Sequence, residues 1–203
     1  MRRGVFVIGL TGSIGMGKST AANMLRRRNI PVFDADATVH ELMEPGGAAV
    51  AAVEEAFPGV VKNGAVDRGE LGKRVFGHRA KLKKLERILH PLVGEAERAF
   101  LARVARRRLP MAVRDVPLLF ETGGDKRCDA TIVVSAPAHI QAARVLARPG
   151  MTRERLEQIR AKQMADAEKR KRADYVVPSG MGRRMTWDTL GEVLRDIERR
   201  RDC

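Results

Sequence analysis

Four residues carry the plainest chemical signal in the chain: Gly12, Gly17, Lys18 and Ser19. Their spacing fits glycine, four residues, then Gly-Lys-Ser/Thr, a pattern in which each residue type has a physical task. Glycine lets main-chain N–H groups close around phosphate oxygens where a side chain would block the approach. A lysine ammonium at the next position reaches β and γ phosphates, and the hydroxyl behind it suits a magnesium ion. A helix starting near Gly17 would aim its positive end and unpaired N–H groups at the same anion. The stretch reads as a nucleotide phosphate site.

A second group of candidates has to be delivered to that site by the fold. Asp36 lies two residues beyond an expected strand and eighteen beyond Lys18. A carboxylate there suits proton acceptance from, or orientation of, an acceptor hydroxyl in phosphoryl transfer. An aspartate in that place equally suits a helix N-cap, and spacing leaves both readings open, with Asp34 the better cap. Asp115 ends a β-like stretch and is a candidate to hold Mg²⁺ through water. Arg144 and Arg148, four apart, share a face of an expected helix beside Pro149-Gly150, where guanidinium groups on a mobile flap suit transferring phosphoryl oxygens. His40 and His90 fit packing or capping better than metal ligation, since no His/Cys ligand spacing exists.

The elements that must position these groups follow from periodicity and breakers. Buried-strand patterns run Val5–Leu10, Ile30–Phe33, Met111–Val116, Ala130–Val134 and Tyr175–Val177. Helical patterns fill Ser19–Arg28, Asp36–Met43, Ala48–Phe57, Asp67–Phe76, a segment marked by Leu82, Leu85, Ile88 and Leu89, and a further helix with Pro91 as its first residue. After Ala136 come helices to Arg148, from a Thr152 cap to Met164, and from Thr186 to Arg199. Alternating strands and helices predict an α/β fold with a parallel sheet covered on both faces. The roughly sixty residues between Asp36 and Arg106 are expected to be helical without a strand.

At 203 residues the chain is long enough for one α/β domain with an appended part. The 44% hydrophobic and 32% charged content is that of a globular protein. Only Cys128 and Cys203 are present, which excludes a disulfide scaffold and predicts a reducing compartment. No apolar run approaches a membrane span, and the N-terminal one is too short for a signal peptide, so a cytoplasmic protein is expected. The net charge of +14 admits a nucleic-acid partner or a polyphosphate substrate. The arginines are scattered, however, and cluster at expected helix ends (26–28, 106–108, 199–201). With 4% aromatics there is little for single strands to stack on.

Taken together, these stretches resemble the dephospho-CoA kinases. The resemblance rests on Gly9–Thr20, Asp34-Ala-Asp36 with His40, Glu44-Pro-Gly46, and Asp67-Arg68 with Leu71 and Val75-Phe76. It continues through Ile88-Leu-His-Pro91, Asp115–Glu121, Gln141 with Arg144 and Arg148, Gln163 and Ala173-Asp174. It implies a P-loop kinase with a helical acceptor-binding part and a short lid. The reaction implied is ATP-dependent phosphorylation of the ribose 3′-hydroxyl of dephospho-CoA. The implied division of one domain is a nucleotide-binding core (1–35, 108–147, 173–203), an acceptor-binding part (36–107) and a lid (148–172).

The resemblance also implies roles. Gly12, Gly15, Met16, Gly17, Lys18, Ser19 and Thr20 would hold ATP, and Ser19 with Asp115 would hold Mg²⁺. Asp36, Lys18, Arg144 and Arg148 would be catalytic. Asp36, His40, Arg74, His90, Pro91, Leu118 and Glu121 would lie around dephospho-CoA, the small-molecule partner of a monomer or weak homo-oligomer. The chain departs from the family at Pro178-Ser179-Gly180, where an Asn followed by Gly often stands near the adenine. Met16 replaces a smaller loop residue at a position expected to be tolerant. A nucleoside-monophosphate-type kinase would share the phosphate loop without needing the Ile-Leu-His-Pro and Pro-Leu-Leu-Phe-Glu runs. A nucleotide-regulated nucleic-acid-binding protein is suggested only by the charge.

Overall fold

Val5–Leu10 supplies a strand because β-branched and apolar residues predominate in it, with Gly9 the one interruption. The strand, β1 (Phe6–Thr11), buries Ile8 and Leu10 completely. In the computed structural model, which describes residues 4–202, two compact units form: 4–33 with 104–202, and 34–103.

The first unit opens with β1, then α1 (Lys18–Arg27), whose buried face is Ala21, Ala22, Met24 and Leu25, then β2 (Val32–Asp34). The second unit follows with α2 (Ala35–Met43), α3 (Val50–Ala56), β3 (Val61–Lys62), β4 (Ala65–Val66), α4 (Arg68–Val75) and the 28-residue α5 (Arg79–Arg106), which runs back into the first. The chain then adds β5 (Met111–Asp115), β6 (Ala130–Ser135), α6 (Ala138–Leu146), α7 (Arg153–Lys162), α8 (Asp166–Arg172), β7 (Tyr175–Pro178) and α9 (Arg183–Asp202).

Five strands make one sheet in the order β2-β5-β1-β6-β7, and β1 pairs in parallel with both β5 and β6. Parallel neighbours require crossovers, so the strands nearest in space are far apart in sequence. One core cluster joins Ile8, Leu10, Val113, Ile132 and Val134 of the sheet to Leu25 of α1 and to Leu190, Leu194 and Ile197 of α9. At about 1.5–3 kcal/mol for each large apolar side chain, such burial outweighs any helix propensity in fixing where α1 and α9 pack. On the opposite side of β1, a Cβ on Gly9 would strike Leu119 Cδ2 at 2.7 Å and Cys128 Sγ at 2.8 Å. Cys203, the other residue of the cysteine argument, lies outside the described residues.

Three expectations need correction. The part expected to be wholly helical contains the hairpin β3–β4, with Val61 opposite Val66. Asn63 and Gly64, both at positive φ, form the two-residue turn that suits the twist of a hairpin. Pro91 does not begin a helix: it lies inside α5. Its missing N–H and ring cost about 3 kcal/mol in a helix interior. Leu85 and Leu89 before it and Leu92 after it pack into one cluster with Val53, Phe57 and Leu71, which offsets that cost. The helix expected to reach Arg148 stops at Leu146, so Arg148 sits in a bend and shares no helix face with Arg144. The charged run Asp166–Arg172, to which periodicity assigns no element, forms the helix α8.

Candidate active site

The phosphate loop occupies Gly12–Gly17 between β1 and α1. Gly15 and Gly17 have φ of 75° and 86°, a left-handed conformation that costs other residues. A Cβ on Gly12 would lie 2.7 Å from the Val134 carbonyl oxygen of β6, so this glycine is fixed by the neighbouring strand. The helix begins at once: Gly17 is the N-cap of α1, with no side-chain cap hydrogen bond and no acid in the first turn. The free N–H groups and positive end of α1 are thus offered to an anion.

Lys18 is held before any phosphate arrives. Its Nζ lies 2.6 Å from Asp115 Oδ1 at the end of β5, and the carboxylate is buried. Sheet order explains the meeting, since Leu10 of β1 is in register with Asp115. Ser19 is exposed beside them. Mg²⁺ keeps several waters and takes one or two carboxylates plus substrate phosphates. One hydroxyl and one carboxylate flanking a phosphate nest therefore fit this ion. Among the described residues no group of three or more His, Cys, Asp or Glu could form an all-protein metal cage.

Met16 is not at a tolerant position. It is 3% exposed, its sulfur accepts from the Ala136 N–H at 3.1 Å, and its carbonyl accepts from Ser179 Oγ at 2.6 Å. Arg144 is tied to the same place through Ser179, with Nη2 to the carbonyl oxygen at 2.6 Å and Nη1 to Oγ at 3.0 Å. It is not on a free flap. Arg148 is exposed in the turn after α6.

Two glutamines that periodicity left without a role clamp the loop at Ile14. Gln163 Oε1 accepts the Ile14 N–H at 3.1 Å, and Gln141 Nε2 donates to the Ile14 carbonyl at 2.8 Å. Arg160 donates twice to Gln141 Oε1, at 3.2 and 2.6 Å.

Of the residues expected around the acceptor, Leu118 is exposed, as an apolar contact surface requires. Glu121 is committed to its own unit. Its Oε1 accepts from the Met164 N–H at 2.8 Å and pairs with Lys169 Nζ at 2.9 Å. Burial pushes this carboxyl up, but the bonds from Lys169 and Met164 outweigh it and hold the group below its ordinary value. Lys169 is a residue that sequence reasoning missed. It lies in a run of charges that looks solvated, yet it is fully buried and also donates to the Pro117 carbonyl at 3.1 Å.

In the second unit, Asp34 takes the N-cap of α2, its Oδ1 accepting from the Ala37 N–H at 3.0 Å. That leaves Asp36 in the first turn, exposed, with its carboxylate not used as a cap. His40, one turn later, contacts Arg68 at the start of α4. Arg74 is half-buried and bonded to Glu70 at 3.3 Å and to the Pro58 carbonyl. His90 and Pro91 are exposed on α5.

The chain is similar to known proteins over most of its length. Residues 6–182 match the family described as dephospho-CoA kinase. A dephospho-CoA kinase of Paramagnetospirillum magneticum is 67% identical over 164 residues, 81% of this chain and 77% of that protein. A crystal structure of TT1252 from Thermus thermophilus superposes with a TM-score of 0.82 at 36% identity, covering 95% of this chain and 98% of that one. The dephospho-CoA kinase from Campylobacter jejuni shares the fold, with a TM-score of 0.65 at 20% identity over 94% and 96% of the two chains. The chain belongs to the dephospho-CoA kinase family.

Proposed function

We propose that the chain transfers the γ-phosphoryl group of ATP to the ribose 3′-hydroxyl of dephospho-CoA, giving CoA and ADP, the last step of coenzyme A synthesis. The observation that carries the reading is the uncapped N-terminus of α1 behind a glycine loop, with Lys18 held at its mouth by Asp115. Phosphoryl transfer asks a protein chiefly for positioning and charge, and this site supplies both. Main-chain N–H groups of Gly15–Thr20 hold the phosphates, and Lys18 exchanges Asp115 for the β and γ oxygens. Arg144 lies against the loop, where it can meet charge developing on the transferred group, and Arg148 joins it from the turn after α6.

Ser19 and Asp115 are the groups that would hold Mg²⁺. When bound, the ion supplies positive charge against the phosphate oxygens. Asp36 accepts or orients the proton of the acceptor hydroxyl, a role supported by its exposed carboxylate and by Asp34 having taken the cap. Around dephospho-CoA we place His40, Arg74, His90, Pro91 and Leu118. Glu121 acts there by anchoring the loop that carries Leu118. The enzyme works in the cytoplasm as a monomer or weak homo-oligomer on free small molecules rather than nucleic acid.

The test is a coupled assay offering ATP and Mg²⁺ with dephospho-CoA, AMP, CMP or shikimate in parallel. Turnover is expected with dephospho-CoA, and phosphorus NMR of the product should show a new 3′-phosphomonoester. Turnover only of another acceptor overturns the proposal.

A further inference from the structure

Ser179 is 7% exposed, and each of its polar groups is engaged. Its N–H donates to the Ser135 carbonyl at 2.8 Å. Its hydroxyl donates to the Met16 carbonyl at 2.6 Å and accepts from Arg144 Nη1 at 3.0 Å. Its own carbonyl accepts from Arg144 Nη2 at 2.6 Å. Three segments far apart in sequence therefore meet on one small residue: α6, the phosphate loop and the turn after β7. A Cβ placed on Gly17 would lie 3.0 Å from Ser179 Oγ and 3.6 Å from Arg144 Nη1. The hydroxyl and the guanidinium thus rest directly against the last glycine of the loop.

We infer that Ser179 is a positioning residue for phosphoryl transfer, fixing the Arg144 guanidinium and the Met16 peptide as one pre-formed unit before nucleotide binds. An arginine loses rotamer freedom when it grips a phosphate, and a glycine-rich loop loses backbone freedom. Ordering both in the free protein removes that cost from the binding step. The bidentate grip matters, because two donors in a fixed fork set the plane of the guanidinium as well as its place. With its one proton committed to the Met16 carbonyl, the Ser179 hydroxyl has no donor left to offer the edge of a base.

Arg144's part in this rests on the kinase reading above, whereas the state of the loop in the free protein does not. The test uses the full chain. Ser179→Ala is expected to raise KM for ATP and Kd for ADP about tenfold, about 1.4 kcal/mol by the affinity relation. KM for dephospho-CoA should stay within about twofold, and amide exchange at Gly15–Gly17 should quicken in the free protein. A residue that only stabilised the fold would lower the melting temperature without splitting the two KM values. In a cycle with Arg144→Met, adding Ser179→Ala should cost less than about twofold further, because the two act as a unit. Additive losses, or an ATP KM within twofold of wild type, overturn the inference. If Ser179→Ala does not fold, Arg144→Lys replaces it, since an ammonium lacks the planar two-nitrogen fork that grips both Ser179 acceptors. Exchange at Gly15–Gly17 should again quicken, and unchanged exchange overturns the inference. If the wild-type protein binds ADP but does not phosphorylate dephospho-CoA, the kinase proposal falls while the ADP-binding and exchange arms still judge Ser179.

Discussion

Replacing Lys169 by methionine keeps an unbranched side chain as far as Cε and removes the charged Nζ, which isolates what the buried ammonium contributes. The Lys169 side chain has 0% exposure and that of Glu121 18%, with 2.9 Å between them. Without the ammonium, Glu121 keeps the Met164 N–H, while its second oxygen is already buried and without a hydrogen-bond partner. The Pro117 carbonyl loses one donor and retains Thr11 Oγ1 at 2.9 Å. Breaking one side of a buried pair costs about 3–5 kcal/mol, and the residual exposure of Glu121 favours the lower end, about 3 kcal/mol. For a chain of this size each kcal/mol lowers the melting temperature by about 2–4 °C, so a fall of about 6–12 °C is expected.

The assay is thermal unfolding followed by circular dichroism, for Lys169→Met, Glu121→Gln and the double variant. Glu121→Gln strands a fully buried ammonium and should cost at least as much. The double variant should lose clearly less than the sum, because neither charge is left alone. A Lys169→Met melting temperature within about 2 °C of wild type would refute the reasoning, and so would strict additivity. The pH dependence has a definite sign. Glu121 is held below its ordinary value of 4.5 in the folded protein, so its contribution is complete above that pH. It is lost as pH falls through the lower folded value, and Lys169→Met should flatten that part of the acid limb.

Asp36→Asn is expected to keep ATP binding and to lower turnover at least ~10²-fold, the usual size of lost acid–base assistance; near-normal turnover would remove Asp36 from its role. Pro91→Ala supplies the missing N–H in the middle of α5 and should stabilise the second unit by about 1–2 kcal/mol, less than the full helix penalty because proline also restricts the unfolded chain. The same variant should raise KM for dephospho-CoA severalfold, and a lower melting temperature would contradict the account of that helix. Tyr175, the only tyrosine, is pushed up to about 12 by burial and by its 2.7 Å bond to Asp196, so absorbance at 295 nm should titrate near pH 12 rather than 10. Stability tied to Tyr175 is complete below pH 10 and is lost as pH rises toward 12, and Asp196→Asn should move the titration downward.

Where a feature depends on neighbours in sequence, the chain announces it. The phosphate loop is legible because glycine, lysine and hydroxyl act within eight residues. Asp34 and Thr152 are legible as caps because each bonds an N–H three residues ahead. Asn63-Gly64 is an equally local turn signal, but strands of two residues carry no alternation to mark the hairpin. Pro91 shows a local rule outweighed, since apolar residues on both sides of it enter one cluster and keep α5 continuous. Met16 and Lys169 are illegible for the opposite reason. Ala136 lies 120 residues from Met16, and the Pro117 carbonyl lies 52 residues from Lys169, so nothing beside either residue reports its burial.

The phosphate loop itself shows why a motif of correct residues does not by itself make a site. Three glycines in six residues permit the nest but make it costly to order, because glycine loses the most backbone freedom on folding. The holding force has to come from elsewhere. Ile14, the residue before the first positive-φ glycine, has its carbonyl fixed by Gln141, 127 residues away, and its N–H by Gln163, 149 residues away. Gln163 is in turn placed by its neighbour Met164, whose N–H is bonded to Glu121, and Glu121 is held by the buried Lys169. The junction between α7 and α8 is therefore anchored to the phosphate loop through Gln163. A substitution at Glu121 or Lys169 should then act on ATP binding as well as on melting, although neither side chain touches a phosphate.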